Sequence, residues 1–115
     1  MGRNLPDVSL NADPYSGYSI FVGGSWGTGI GGTSFVSPQL NGILTLISSG
    51  LGGRVGPINP QLYAAFKTQG YAAGSPFKAI IAGDNEYFKS NAQYNPSTGL
   101  GSLDVNALAT TLGVH

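Results

Sequence analysis

The sequence has no cysteine, one histidine, one tryptophan and few charges: five Lys or Arg and five Asp or Glu among 115 residues, a charged fraction of 9%. Each shortage excludes something. Without Cys there are no disulfides, no thiolate metal sites and no cysteine nucleophile, and the absence carries no message about compartment, because a secreted chain need not use disulfides. The one His stands at the terminal position, His115, which argues against a Ser–His–Asp triad or a His-based metal site built within this chain. A formal net charge of zero supplies no basic surface to neutralise phosphates, so no nucleic-acid partner is expected. No run approaches the ~18 apolar residues of a membrane span. The opening Met1-Gly-Arg-Asn-Leu-Pro-Asp7 lacks an apolar h-region, so neither a membrane partner nor a signal peptide is expected.

Glycine and apolar residues are plentiful. Gly fills 19 positions and Pro 7, and 41% of residues are hydrophobic; an ordinary soluble domain has about 7% Gly and about 25% charged residues. The apolar content is too high for a disordered chain, while Gly and Pro promise many turns. The length suits one domain with a core of its own.

Along the chain, residues 7–12 alternate weakly before Asp13-Pro14 and read as a short strand entering a turn; Tyr18–Val22 reads as a second strand, closed by Gly23-Gly24, the two suggesting a strand and a small hairpin arm. Gly23 to Gly32 reads as a glycine-rich loop. From Ser34 to Ser49, Leu40, Ile43, Leu44 and Ile47 follow the i, i+3, i+4, i+7 pattern of a helix. No charge falls between Asp13 and Arg54, so this helix is expected to be buried. Pro38 fits its first turn, and Gly42 in its middle implies close packing against something. A second helix is expected from Pro60 to about Gln69, with Asn59 as N-cap and Gly70 as the stop. Phe77–Ala82 reads as a strand or extended edge, residues 83–101 as a polar loop, and about Leu103–Leu112 as a last helix capped by Ser102, with Asp104 near its positive end.

Few residues are placed to do chemistry. Gly29-Ile-Gly-Gly-Thr-Ser34 superficially resembles a phosphate loop but lacks the Lys of a P-loop and the third Gly of a dinucleotide fingerprint. Asp84 and Glu86 are read either as solvated loop charges or as partial calcium ligands. Ser34 follows a flexible glycine turn at the start of an uncharged helix, where free N–H groups favour developing negative charge. It can serve as a nucleophile there, or simply cap the helix.

Gly32-Thr33-Ser34-Phe-Val-Ser-Pro38-Gln-Leu-Asn-Gly42 resembles the Gly-Thr-Ser-x-x-x-Pro-x-x-x-Gly motif around the nucleophile of subtilisin-fold serine peptidases. Leu5-Pro-Asp-Val-Ser9 with Ala12-Asp-Pro14 and Gly17-Tyr18, then Ile58-Asn-Pro-Gln-Leu-Tyr63, then Tyr94-Asn-Pro-Ser-Thr-Gly-Leu-Gly101 with Leu103-Asp104, resemble blocks of one branch, the sedolisins or serine-carboxyl peptidases. The resemblance covers nearly the whole chain, in the family's order and spacing. It implies an α/β, partial subtilisin-like fold: residues 1–115 as the C-terminal part of a peptidase domain, contributing a few strands of a parallel sheet, two to three helices and a small hairpin.

The resemblance further implies that Ser34 is the nucleophile. In the family its proton goes to a Glu paired with an Asp, and a protonated Asp meets the oxyanion, an arrangement suited to acidic pH. Those three carboxyl groups belong to the family's upstream sequence, and none of Asp7, Asp13, Asp84, Glu86 or Asp104 aligns with them; Asp7 and Asp13 are read as hydrogen-bonding partners of turns. The family's calcium site, expected in the region of residues 77–101, takes one carboxylate from Phe-x-Asp-Ile and another from Gly-x-Gly-x-Asp-Pro, where this chain has Ala79 and Asn95. Neutral oxygens alone hold a hard cation poorly, so no tight calcium, or a loop closing on itself, is expected. The resulting expectation is part of a serine-carboxyl endopeptidase acting on peptide or protein, secreted by family inference. The chain carries the nucleophile but lacks the base, is inactive alone, and is completed by an upstream segment. The alternative is a non-catalytic domain that self-associates as a homo-oligomer or binds a partner.

Overall fold

The computed structural model describes residues 4–114; Met1 to Arg3 and the solitary His115 lie outside the described residues. Two short strands, Tyr18–Val22 (β1) and Ser25–Ile30 (β2), form an antiparallel hairpin with Phe21 opposite Trp26 and Val22 opposite Ser25. Gly23 and Gly24 connect them with φ of 59° and 83°, the left-handed pair that a tight two-residue hairpin turn requires. The expected loop over 23–32 is therefore mostly strand. Ser25-Trp-Gly-Thr-Gly-Ile30 has few β-formers, and its pairing comes from the turn and from the cross-strand rings of Phe21 and Trp26, 5.4 Å apart, rather than from propensity.

A single 3₁₀ turn, Thr33–Phe35, leads into helix α1, Val36–Gly50. Pro38 falls in the first turn of α1, as its missing N–H demands. Helix α2 runs Ile58–Gln69 and stops at Gly70. It begins earlier than the sequence suggests: Pro57 is its N-cap, so Asn59 lies inside the first turn instead of capping it. Strand β3, Phe77–Lys78, pairs antiparallel with β4, Ser102–Leu103, so the strand expected over 77–82 shrinks to two residues. Helix α3 is Val105–Thr111, and its cap is Asp104, which accepts from the Ala107 N–H at 3.0 Å, while Ser102 belongs to β4.

Residues 7–12 form no ladder strand. The segment is extended and tied to the 98–101 stretch, with Leu100 N–H donating to the Asp7 carbonyl at 2.8 Å and Ser9 N–H to the Gly101 carbonyl at 3.0 Å. The expected parallel strands are also not met. Both sheets among the described residues are antiparallel pairs, because no helix crosses between two strands lying side by side, which parallel pairing requires.

The core is small: Ile47 from α1, Leu62 from α2, Phe77 from β3, Leu100, and Leu108 from α3 are the buried hydrophobic side chains. Phe66 packs edge-on against both Phe77 and Tyr71. The expectation of a buried α1 fails within this chain. Ile47 is its one buried residue, Leu46 is 73% exposed, and a Cβ at Gly42 would meet open space instead of a close neighbour. The accessible surface is 7548 Å², against about 5,900 Å² for a compact monomer of this mass. The radius of gyration is 15.3 Å, where about 13 Å is usual for the length. The uncharged helix is thus only partly covered by what the chain itself folds over it.

Gly99 (φ 62°) lies under the N-terminal segment, where a Cβ would come within 2.5 Å of the Pro6 and Asp7 carbonyls; at Gly23 (φ 59°) a Cβ meets nothing. Both positions carry the left-handed penalty of roughly 1–2 kcal/mol for a side chain, but only Gly99 adds a collision with backbone. Gly99→Ala is expected to destabilise the chain by clearly more than Gly23→Ala in urea unfolding. Equal losses would show that the 6–7 segment is not held against Gly99.

Candidate active site

Ser34 sits in the 3₁₀ turn and is exposed. The glycines before it bring the backbone hard against the turn that precedes β1. A Cβ on Gly31 would lie 2.6–2.8 Å from Pro14 N, the Ala12 carbonyl oxygen and the Asp13 carbonyl carbon, and Gly32 (φ 115°) donates its N–H to the Ala12 carbonyl at 2.6 Å. No side chain with a Cβ is tolerated at Gly31 without moving one of the two segments, which explains the glycine three residues before this serine.

The turn beneath it is built on Asp13. Its carboxylate accepts from Tyr15 N–H at 3.0 Å, Ser16 N–H at 3.0 Å and the Ser16 hydroxyl at 2.8 Å, while Asn11 accepts from Asp13 N–H and donates to the Ser16 carbonyl. These bonds, the Ser16 hydroxyl first and then the Tyr15 and Ser16 N–H groups, hold the Asp13 carboxyl below its ordinary value of 3.8, because each donor favours the charged form. Tyr18 fastens the same turn to the helix: its hydroxyl donates to the Asn11 carbonyl at 2.6 Å and lies 3.0 Å from the Gln39 amide oxygen. Its ring stacks on Phe35 at 5.5 Å. Sequence reasoning missed this Tyr18–Phe35–Gln39 contact. Its one trace is that Phe35 and Gln39 share a helix face at i, i+4.

Neither helical segment at Ser34 has a side-chain cap: Gly32 precedes the 3₁₀ turn, Phe35 precedes α1, and no side chain bonds to either end. The capping reading of Ser34 is therefore overturned. Its hydroxyl makes no hydrogen bond among the described residues, and it stands where the first N–H groups of a helix lack intrahelical partners and the helix end is partially positive. Such a place can stabilise an oxyanion forming on an acyl carbon attacked by this hydroxyl. It offers no base.

The acidic residues other than Asp13 are engaged elsewhere. Asp7 accepts from Asn59 Nδ2 at 2.7 Å and from the Tyr63 hydroxyl at 2.9 Å, so Asn59 and Tyr63, one turn apart on α2, grip the N-terminal segment. Asp84 accepts from Glu86 N–H within its own loop, Asp104 caps α3, and Lys78 pairs with Asp104 at 3.9 Å in solvent. Asp7 and Asp13 act as partners of chain turns and segments, as the sequence suggests. Among the described residues no three His, Asp or Glu side chains gather as a metal would require.

The loop that the resemblance equates with a calcium site is occupied by its own side chain. Asn95 is 3% exposed. Its Oδ1 accepts from Ser97 N–H, Thr98 N–H and the Thr98 hydroxyl at 2.9–3.1 Å, and its Nδ2 donates to the Gln93 carbonyl at 3.1 Å and the Asn91 carbonyl at 3.4 Å. The amide cannot be turned round, since two backbone N–H groups only donate and two carbonyls only accept. These residues do not fit a calcium ion: position 79 offers a methyl group, the Asn95 oxygen is already saturated, and amide hydrogens face the carbonyls a cation would need.

The chain is similar in sequence to kumamolisin from Bacillus sp. (strain MN-32), 36% identical over 107 residues, covering 88% of this chain and 18% of that protein. Its fold is similar to that of Pseudomonas sedolisin, a serine-carboxyl proteinase solved with two molecules of pseudo-iodotyrostatin, with a TM-score of 0.73 and 27% identity over 92% of this chain and 28% of the other. The two similarities together support a fragment of the sedolisin family. No protein-family model matches it. It spans under a third of the length of either sedolisin relative. Within that match, the sedolisin blocks quoted from the sequence come together in space: Leu5–Ser9, Ile58–Tyr63 and Tyr94–Gly101 meet through Asp7, Asn59, Tyr63, Gly99 and Leu100.

A carboxylate held below its ordinary value gives stability that is fully present above 3.8 and is lost as the pH falls through the lowered value. The turn supporting the Ser34 loop is therefore expected to stay formed in mildly acidic solution. A carboxyl NMR titration should place the Asp13 midpoint below 3.8, and Ser16→Ala should move it back up. A midpoint at or above 3.8 in the unaltered chain contradicts the geometry.

Proposed function

We propose that this chain supplies the nucleophile of a serine-carboxyl endopeptidase and works only together with the segment that holds the general base. The observation that carries the reading is the Ser34 hydroxyl: exposed, used by no cap and bonded to no described residue, at the N-terminal end of α1. The sedolisin relationship supports the reaction class.

In this reading Ser34 Oγ attacks the peptide carbonyl while a carboxylate from outside the chain takes its proton. The carbonyl oxygen becomes an oxyanion beside the open N–H groups of the helix start, the amine leaves with a proton returned by the same carboxyl group, and water then hydrolyses the acyl-serine by the reverse sequence. A carboxylate base has an ordinary pKa near 4. The rate is therefore greatest in acid, where that base is ionised and the carboxyl group facing the oxyanion keeps its proton. The exposed, uncharged side of α1, with Leu46 73% exposed and open space at Gly42, is the surface on which the completing segment would pack. The same surface also suits the second reading, a non-catalytic domain that covers it by self-association. A monodisperse monomer in light scattering would exclude that reading for the isolated chain.

The 115-residue chain alone is expected to hydrolyse no peptide in acidic buffer. Joined to the upstream portion of a sedolisin, it is expected to become active, and Ser34→Ala in the joined protein should lower kcat by roughly 10⁴-fold or more. Unchanged acid proteolysis in that variant would remove Ser34 from the mechanism.

A further inference from the structure

The loop from Asn91 to Gly101 raises a question that catalysis does not touch: what holds it. It is nearly all coil, with one isolated bridge between Asn95 and Gly99, yet Asn95, Thr98, Gly99, Leu100 and Gly101 are buried and Leu100 is part of the core. A loop that turns several carbonyls and N–H groups inward needs one partner for both kinds of group. A carboxylate with a divalent cation is such a partner, the anion taking the donors and the cation the acceptors. A carboxamide is another, because it carries both functions on one planar group.

We propose that the Asn95 carboxamide does in this loop the work of an anion and a cation together, so that Asn91–Gly101 folds without metal. Its Oδ1 gathers the three donors of Ser97 and Thr98, and its Nδ2 bridges the Asn91 and Gln93 carbonyls. Asn91 sets up the second carbonyl by accepting from Gln93 N–H at 2.9 Å. The arrangement leaves no capacity for a cation, since the inward carbonyls already face amide hydrogens and no carboxylate stands at position 79 or 95. The consequence reaches the core: Thr98 takes the Ser9 hydroxyl on its carbonyl at 3.0 Å, and Leu100 N–H binds the Asp7 carbonyl, so the same amide fixes the stretch that receives the N-terminal segment.

Asn95→Asp tests this with almost no change of shape. The new side chain keeps the acceptor that serves Ser97 and Thr98 but sets a second acceptor against the Asn91 and Gln93 carbonyls. Thermal unfolding and hydrogen exchange at the Thr98 N–H are followed in the full 115-residue chain, in EDTA and in millimolar calcium chloride. The unaltered chain is expected to show the same midpoint and the same protection in both buffers. Asn95→Asp is expected to lose about tenfold or more in its folding equilibrium constant in EDTA and to recover part of it in calcium. Three results would each overturn the proposal: a calcium-dependent rise in the unaltered chain, an Asn95→Asp chain as stable as the original in EDTA, or a weakened Asn95→Asp chain that calcium does not strengthen. If the variant does not fold, a calorimetric calcium titration of the unaltered chain decides, with measurable binding counting against the proposal and none supporting it. None of these readouts depends on the role of Ser34.

Discussion

The segment around Asp7 is the joint on which the rest of the structure depends. Its carboxylate is gripped by Asn59 and Tyr63 from α2, and its carbonyl takes the Leu100 N–H at the point where Gly99 lets two backbones nearly touch. An extended stretch, a helix and an irregular loop with no regular ladder between them are thereby locked at the edge of the core. Charge-assisted hydrogen bonds of this kind are worth about 1.5–3 kcal/mol each when water is largely excluded, less where, as at Tyr63, the donor is partly exposed. The scarcity of charges makes the point sharper: one carboxylate organises contacts that other domains spread over many side chains.

From this joint the chain runs outward to the candidate nucleophile through a second carboxylate. Asp13 ties down the turn against which Gly31 and Gly32 lie, and Tyr18 stacks on Phe35 across the same corner. Ser34 is thus held by a polar turn on one side and an aromatic contact on the other, while its own hydroxyl is left uncommitted. An exposed hydroxyl bonded to no described residue is what the proposed nucleophile role requires. The surface beyond it is unfinished in a physical sense, with more area exposed than a compact chain of this size presents.

Much of the fold was legible because local rules and tertiary needs agreed. The apolar spacing of Leu40, Ile43, Leu44 and Ile47 placed α1, Gly70 ended α2, and β1 fell where the residues of Tyr18–Val22 suggested. The errors fell where a tertiary contact outbid propensity. Asn59 was drawn into α2 by its bond to Asp7, Asp104 took the cap of α3 while Ser102 paired with Lys78, and a glycine-rich stretch became β2 because Phe21 and Trp26 met across the hairpin. At the candidate site the serine and its glycines could be named from the motif, but the Tyr18–Phe35–Gln39 contact joins residues up to 21 apart in sequence and leaves no short-range pattern to find.

The sequence by itself determined the resemblance to the sedolisins, the position of the candidate nucleophile, the uncharged residues Ala79 and Asn95, and the absence of charge along α1, since these are questions of residue identity. Only the tertiary structure decided that Ser34 caps nothing, that α1 lies largely uncovered, and that the Asn95 amide fills its loop. Each of these concerns which atoms a side chain meets in space: the partners of Asn95 are near neighbours in its own loop, but only the folded backbone turns their N–H groups and carbonyls toward the amide.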